Sequence, residues 1–140
     1  MLVYDFMSAG IPFDRGAQWM HTEARAALGA AATAAFGCAE EHEGLAVGLV
    51  RDRSDALVLD VWLRGDVTTP TFNFLRGEVQ LAPLRDGRSH LSLSASYEPL
   101  CASEHSALDR RSVQRETEVR VREFLARVAM QLERSDSDPM

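Results

Sequence analysis

The sequence predicts an α+β domain in which a curved antiparallel β-sheet wraps around a long C-terminal α-helix. Between residues 45 and 97 apolar residues alternate with polar ones, which is the period of strands with one buried face. Between residues 108 and 134 apolar residues recur every three or four positions, which is the period of a helix with one apolar stripe. A sheet and a helix that are each apolar on one side are expected to bury those sides against each other.

The first predicted elements are a strand from Leu2 to Ile11 and a helical segment over residues 13–36. Pro12 suits the first turn of a helix, where its missing N–H has no partner to lose. The segment is rich in alanine, so it can lie close to whatever it covers. Two short helices, or one helix broken near His21, fit the pattern equally well.

Four strands are predicted next. Leu45, Val47 and Leu49 alternate in the first, and RDRSD is expected to reverse the chain. The following strands lie in ALVLDVWLRGD, FNFLRGEVQLAPL and SHLSLSASYEP, and Asp86-Gly87 between the last two is a strong hairpin signal. The positions predicted to face the helix are Leu57, Leu59, Val61, Leu63, Val79, Leu81, Leu91, Leu93, Ala95 and Tyr97.

The length of 140 residues and the apolar fraction of 46% are typical of one globular domain. We assign residues 1–134 to this domain and expect residues 135–140 to fray at the C-terminus. The N-terminus lacks the charge and the long apolar run of a signal peptide, and no segment has the length of a membrane span. We therefore expect a cytoplasmic protein.

The net charge of −6 disfavours nucleic acid and anionic membranes as partners. Cys38 and Cys101 are the only cysteines, and neither is part of a C-x-x-C pair. The segment CAEEHEG contains Cys38, His42 and three glutamates, but its spacing matches no zinc or calcium motif. His105 has no serine in a strained nucleophile turn near it. The sequence therefore predicts no metal and no cofactor.

One segment also resembles a known superfamily. LAPLRDGRSHLSLSASYEP, followed by Asp109 and a helix ending VREFLARVAMQLE, resembles the C-terminal half of the START-type or pollen-allergen-like (SRPBCC) superfamily. The resemblance covers residues 45–134 and implies the helix-grip fold, with a ligand held between the sheet and the long helix. Known members include polyketide cyclases and lipid-transfer modules. The matching residues are Pro83, Gly87, Arg88, Ser89, Leu91, Leu93, Tyr97 and Pro99.

On this basis the leading hypothesis is a protein that binds a hydrophobic or amphipathic small molecule without catalysis. Such pockets are mostly apolar with a few polar groups. Two alanines of the N-terminal helices would leave room, and two residues of the sheet would form the floor. The predicted ligand-binding residues are Trp19, Ala27, Ala31, Leu59, Val61, Tyr97, Phe124 and Val128.

An alternative hypothesis is a polyketide cyclase- or dehydratase-like enzyme. Asp60, Arg64 and His90 alternate to the opposite face of the strands and are candidate catalytic residues if that face lines the cavity. A solvated outer face is the preferred interpretation, because the leucines would otherwise face water. Asp5 in the first strand is a candidate polar residue for the pocket or for a hydrogen bond at the sheet edge.

A further alternative is a protein-interaction module with a solid core. Trp62, with Phe72 and Phe74 nearby in sequence, would form an exposed aromatic patch that docks a protein partner or forms a homodimer. The sequence equally allows Trp62 to be covered by the N-terminal helices.

Overall fold

The computed structural model describes residues 2–36, 45–64, 72–99 and 107–137. The strands are β1 (Leu2–Ala9), β2 (Leu45–Val47), β3 (Arg51–Arg53), β4 (Ala56–Arg64), β5 (Phe72–Pro83) and β6 (Ser89–Pro99). The helices are α1 (Phe13–Thr22), α2 (Ala24–Phe36) and α3 (Ala107–Ser137). The predictions that involve Cys38, His42, Cys101 and His105 lie outside the described residues. None of the helices in the described ranges is long and apolar enough to span a membrane.

The strands form one curved antiparallel sheet in the order β1-β6-β5-β4-β2, and β3 also pairs with β4. The first strand of the chain therefore lies at a sheet edge, where Leu2 is opposite Ser96 and Ala9 is opposite Ser89. The predicted α+β class, with the sheet around a long C-terminal helix, is confirmed.

The concave face of the sheet, which packs against the helices, carries the predicted alternation. All ten positions predicted to face the helix are buried, with no more than 6% of each residue exposed. The described part of the apolar stripe of α3 is also fully buried, from Thr117 to Leu132. Leucine and valine side chains from both elements thus form one core, and each buried side chain contributes about 1.5–3 kcal/mol.

The hairpin between β5 and β6 forms at the predicted Asp86-Gly87. Gly87 N donates to the Leu84 carbonyl (3.2 Å), and Leu84 N donates to the Arg88 carbonyl (2.8 Å). Gly87 has a φ of +83° and closes the turn in a conformation that favours glycine. Asp86 accepts hydrogen bonds from the backbone N (3.2 Å) and the Nε (2.8 Å) of Arg88.

A second glycine, Gly77, lies where β5 and β6 approach each other closely. A Cβ on Gly77 would lie 2.8 Å from the Ala95 Cβ and 2.8 Å from the Ser94 carbonyl oxygen on the neighbouring strand. Only a residue without a side chain permits this approach of β5 and β6.

The edge strand that begins at Leu45 differs from the prediction. Leu49 was expected to alternate inward in a strand, but it lies between β2 and β3 and is 81% exposed. The segment RDRSD does not simply reverse the chain, because Arg51–Arg53 forms β3 and the turn lies at Ser54–Asp55. Gly48 N still donates to the Asp60 carbonyl (2.8 Å), and a Cβ on Gly48 would lie 3.3 Å from the Asp60 Cβ, so the chain stays close to β4 at this point.

The helices are tied to one another by polar contacts at their ends. The helical segment is broken at Glu23, which supports two helices rather than one. Arg120 of α3 donates to the Ala35 carbonyl in the last turn of α2 (3.1 Å). Helix α3 continues to Ser137, past the expected end at residue 134. In this last part of the helix, Ser135 Oγ donates a hydrogen bond to Glu23 Oε2 at the end of α1 (2.8 Å).

Candidate functional site

The concave face of the sheet is built from rows of side chains that run across the strands. One row contains Asp5, Leu93, Val79 and Leu59, which are paired in register from β1 to β4. The adjacent row contains Val3, Ala95, Gly77 and Val61, and we call it the small-residue row. The predicted floor residues Leu59 and Val61 therefore lie in neighbouring rows, under the helices.

Five of the other predicted ligand-binding residues lie on the helices, and the sixth, Tyr97, lies on β6. The Phe124 ring of α3 lies 5.5 Å from the Phe36 ring of α2. All eight residues belong to one buried cluster in which none is more than 8% exposed. The structure thus brings the predicted set together in the layer between the sheet and the helices, where they pack as core side chains. Whether they bind a ligand stays a prediction.

Three of these buried residues also form part of the lining of surface depressions that the sequence did not predict. Two adjoining depressions, of about 320 Å³ and about 260 Å³, lie between the first two helices and α3. Trp19 and Ala27 line the larger one and Ala31 lines the smaller one. We call them together the α2–α3 groove. Its polar lining comes from Thr22, Glu23, Arg127, Gln131, Arg134 and Ser135.

Asp5 is a carboxylate on the otherwise apolar concave face of β1. Its Oδ2 atom is buried and has no hydrogen-bond partner within the described residues. Tyr97 provides a second polar group on this face, but Asp5 pairs with Leu93, four residues away from Tyr97 along β6. At about 3.3 Å per residue the two positions are about 13 Å apart, so they do not form a catalytic pair.

The candidate catalytic residues lie on the opposite, convex face of the sheet. Asp60 accepts a hydrogen bond from Arg51 (2.9 Å), and Glu78 opposite it accepts hydrogen bonds from Arg53 (2.8 and 2.9 Å). The hydrogen bond from Arg53 is the largest cause of the lowered pKa of Glu78. These four groups form a network of ion pairs at the surface.

The other two catalytic candidates are not joined to this network. The His90 ring stacks on Phe6 with 5.4 Å between the ring centres. Its register position is opposite Ala82, four residues along β5 from the partner of Asp60. Arg64 is exposed at the end of β4. Asp60, Arg64 and His90 therefore do not share a site, and the solvated interpretation of this face is supported.

The convex face also carries aromatic residues. Trp62 is half-buried beside Gly48, on the face away from the helices, so the N-terminal helices do not cover it. Phe74 is 43% exposed, and the Phe72 side chain lies outside the described residues. A homodimer through these residues stays a prediction.

At the far edge, β1 exposes three large side chains that the sequence prediction did not include: Leu2 (81%), Tyr4 (59%) and Phe6 (58%). The sequence signal for this face is the strand period itself, because Leu2, Tyr4 and Phe6 alternate with Val3 and Asp5.

Known structures share this architecture. A conserved protein from Geobacillus kaustophilus aligns over 96% of this chain and 97% of its own, with 14% identity and a TM-score of 0.56. The Zhui aromatase/cyclase from Streptomyces sp. R1128 aligns over 96% and 94%, with 14% identity and a TM-score of 0.52. Ara h 8.0201 aligns over 94% and 97%, with 8% identity and a TM-score of 0.52. The chain has the helix-grip fold.

The helix-grip assignment confirms the resemblance to the START-type superfamily at the level of fold. At 8–14% identity these structures establish architecture and not activity. No protein-family model matches the sequence, and no curated protein matches it. The described ranges also hold no group of three or more His, Cys, Asp or Glu residues placed to bind a metal ion.

Proposed function

We propose that the protein is a cytoplasmic, non-catalytic binding protein for a hydrophobic or amphipathic small molecule held between the sheet and the helices. The observation that carries this proposal is the separation of the two faces of the sheet. The eight predicted ligand-binding residues lie in the layer between the sheet and the helices, whereas Asp60, Arg64 and His90 lie on the convex face. A ligand in that layer would meet mostly apolar atoms, as in most small-molecule sites.

The α2–α3 groove supports a route for the ligand. It is lined by Trp19 and Ala27, whose side chains also belong to the buried cluster. Alanines at the surface of α2 have no side-chain rotamers to rearrange, so a small separation of α2 from α3 would connect the groove with the core. Gln131 and Ser135 at the rim could hold the polar end of an amphipathic molecule.

Native mass spectrometry of the purified protein tests the proposal. We expect an adduct that is retained under native conditions and lost on denaturation, and its mass would identify the ligand class. Leu59→Trp should overpack the layer, so that no ligand can enter it, and should abolish the adduct. Gln80→Trp is the matched control, because it adds the same side chain to the convex face of the same sheet.

A fluorescent probe extends this test to protein that purifies without a ligand. Anilinonaphthalene sulfonate should bind the wild type and Gln80→Trp, and should bind Leu59→Trp weakly while near-ultraviolet circular dichroism is retained. Wild-type protein that carries no adduct and does not bind the probe would overturn the proposal. Equal binding by the two tryptophan variants would place the ligand elsewhere and would also overturn it.

A cyclase- or dehydratase-like enzyme is a second candidate, and the Asp5 carboxylate favours it. Asp5 is half-buried, and its buried Oδ2 atom, which has no hydrogen-bond partner in the described residues, is suited to accept a hydrogen bond or a proton from a bound substrate. If the adduct is a polyketide, incubation with wild type and with Asp5→Asn distinguishes the candidates. Product formed by the wild type alone, with the adduct retained by Asp5→Asn, would establish the enzyme.

A further inference from the structure

The convex face of the sheet carries a patch in which two aromatic rings alternate with two guanidinium groups. Trp62 is directly opposite Arg76 on the neighbouring strand, and Arg64 is directly opposite Phe74. Each aromatic residue therefore has an arginine as its neighbour both along the strand and across the ladder. We call these four residues the arginine–aromatic patch.

The patch is accessible. Phe74 is 43% exposed, Arg64 and Arg76 are exposed, and Trp62 is half-buried. The Trp62 ring lies beside Gly48 at the sheet edge, where an added Cβ would be 3.5 Å from the ring. A large ring in a fixed position loses little conformational freedom when a partner covers it.

The two arginines of the patch differ from the other arginines of this face. Arg51 and Arg53 donate to Asp60 and Glu78 at 2.8–2.9 Å. In the part of the chain that the structure describes, Arg64 and Arg76 form neither an ion pair nor a hydrogen bond. Among the described residues no carboxylate is ion-paired with either of these two positive charges, in a chain whose net charge is −6.

We propose that the arginine–aromatic patch docks an acidic protein segment. Carboxylates of the partner would pair with Arg64 and Arg76, whose forked guanidinium groups match carboxylate geometry. Apolar side chains of the partner would pack on Trp62 and Phe74. Tryptophan and arginine are the residue types that most often dominate the energy of protein interfaces.

Charge argues against a second copy of the chain as the partner. In a symmetric dimer the patch would meet itself, so that Arg64 and Arg76 would face the same arginines of the other copy. Such like-charge contacts are unfavourable.

Charge also argues against a nucleic acid. Typical sites neutralise about 6–10 phosphates, whereas two arginines are uncompensated here.

Fluorescence anisotropy with a labelled peptide tests the proposal. The probe is an eight-residue peptide in which glutamate alternates with leucine and phenylalanine, and the matched peptide has lysine in place of glutamate. The test variant is Arg64→Glu/Arg76→Glu. The control is Arg115→Glu/Arg122→Glu, which makes the same charge change at exposed positions of α3. Circular dichroism and thermal unfolding show that both variants keep the fold.

We expect the wild type to prefer the acidic peptide and the patch variant to bind it about tenfold more weakly or worse. The control should change affinity by less than about threefold, because screened charges at a distance contribute little. The patch variant should gain affinity for the lysine peptide.

Four results would overturn the proposal. The first is a wild type that does not prefer the acidic peptide, and the second is an equal loss of affinity in the two variants. The third is tighter binding of an oligothymidine. The fourth is a dimer in sedimentation velocity that Phe74→Ser abolishes.

Discussion

Substitution of Phe124 tests how much the packing of α3 against the sheet contributes to stability. Its ring is fully buried, it lies 5.5 Å from the Phe36 ring, and it belongs to the cluster that joins α3 to the sheet. Phe124→Ala removes the ring and leaves the helical backbone unchanged. The variant therefore measures the packing of the layer between the sheet and the helices.

The expected loss of stability is about 3–5 kcal/mol, the range for Phe→Ala in a packed core. The higher helix propensity of alanine offsets less than about 0.7 kcal/mol of this. For a chain of this size each kcal/mol shifts Tm by about 3–5 °C, so Tm should fall by about 9–25 °C.

Urea unfolding followed by circular dichroism gives the free energy of unfolding, and an unchanged m-value shows that the folded state is still compact. Met130→Ala is the control on the same helix, because Met130 is 60% exposed and its loss should change stability by less than about 0.5 kcal/mol. A loss below about 1 kcal/mol for Phe124→Ala would refute the packed layer and would indicate open space around the ring.

Three further substitutions test local features. Gly77→Ala should lower the free energy of unfolding in urea by about 1–3 kcal/mol, because the new Cβ would be 2.8 Å from the Ser94 carbonyl oxygen and one strand must move. An unchanged free energy of unfolding would contradict the close approach of the strands. Gly87→Ala should cost about 1–2 kcal/mol, because its φ is +83°, and Gly87→Asn should cost less. Hydrogen bonding from Arg53 lowers the pKa of Glu78, so the network stabilises the fold above the ordinary glutamate pKa and loses this effect as pH falls through the lowered one. Glu78→Gln should therefore lower Tm at pH 7 by a small amount, equivalent to about 0.2–1 kcal/mol, and the difference from wild type should vanish in acid; a difference that persists there would exclude the ionic explanation.

Much of the fold could be predicted because its periods are local. The alternation of Leu57, Leu59 and Val61 assigned the concave face correctly, since a shift by one residue would expose every leucine. Asp86-Gly87 located the hairpin because the backbone there needs a residue that tolerates positive φ. The break of the edge strand after Val47 could not be predicted, because Leu49 continues the apolar alternation of the sequence.

The candidate site was predictable in part. The period of the strands and of α3 brought Leu59, Val61 and Phe124 into one layer, as expected. The α2–α3 groove was not predictable, since it depends on how two helices distant in sequence approach each other. The role of β1 was also hidden, because pairing of Asp5 with Leu93 is a long-range contact that no local pattern specifies.

The pairing of β1 with β6 also has a consequence for how the chain folds. β1 precedes the other described elements in the chain, whereas its partner strand β6 and the helix α3 that covers it come from the second half. For example, Gly10 N donates a hydrogen bond to Glu133 Oε1 (2.8 Å), 123 residues away. Contacts of such high contact order slow folding, because a long loop must close before they stabilise anything. Until then the Leu2, Tyr4 and Phe6 edge is an unpaired apolar strand, which makes refolding sensitive to protein concentration. We therefore expect closure of the sheet and docking of the long helix to be late, coupled steps of folding.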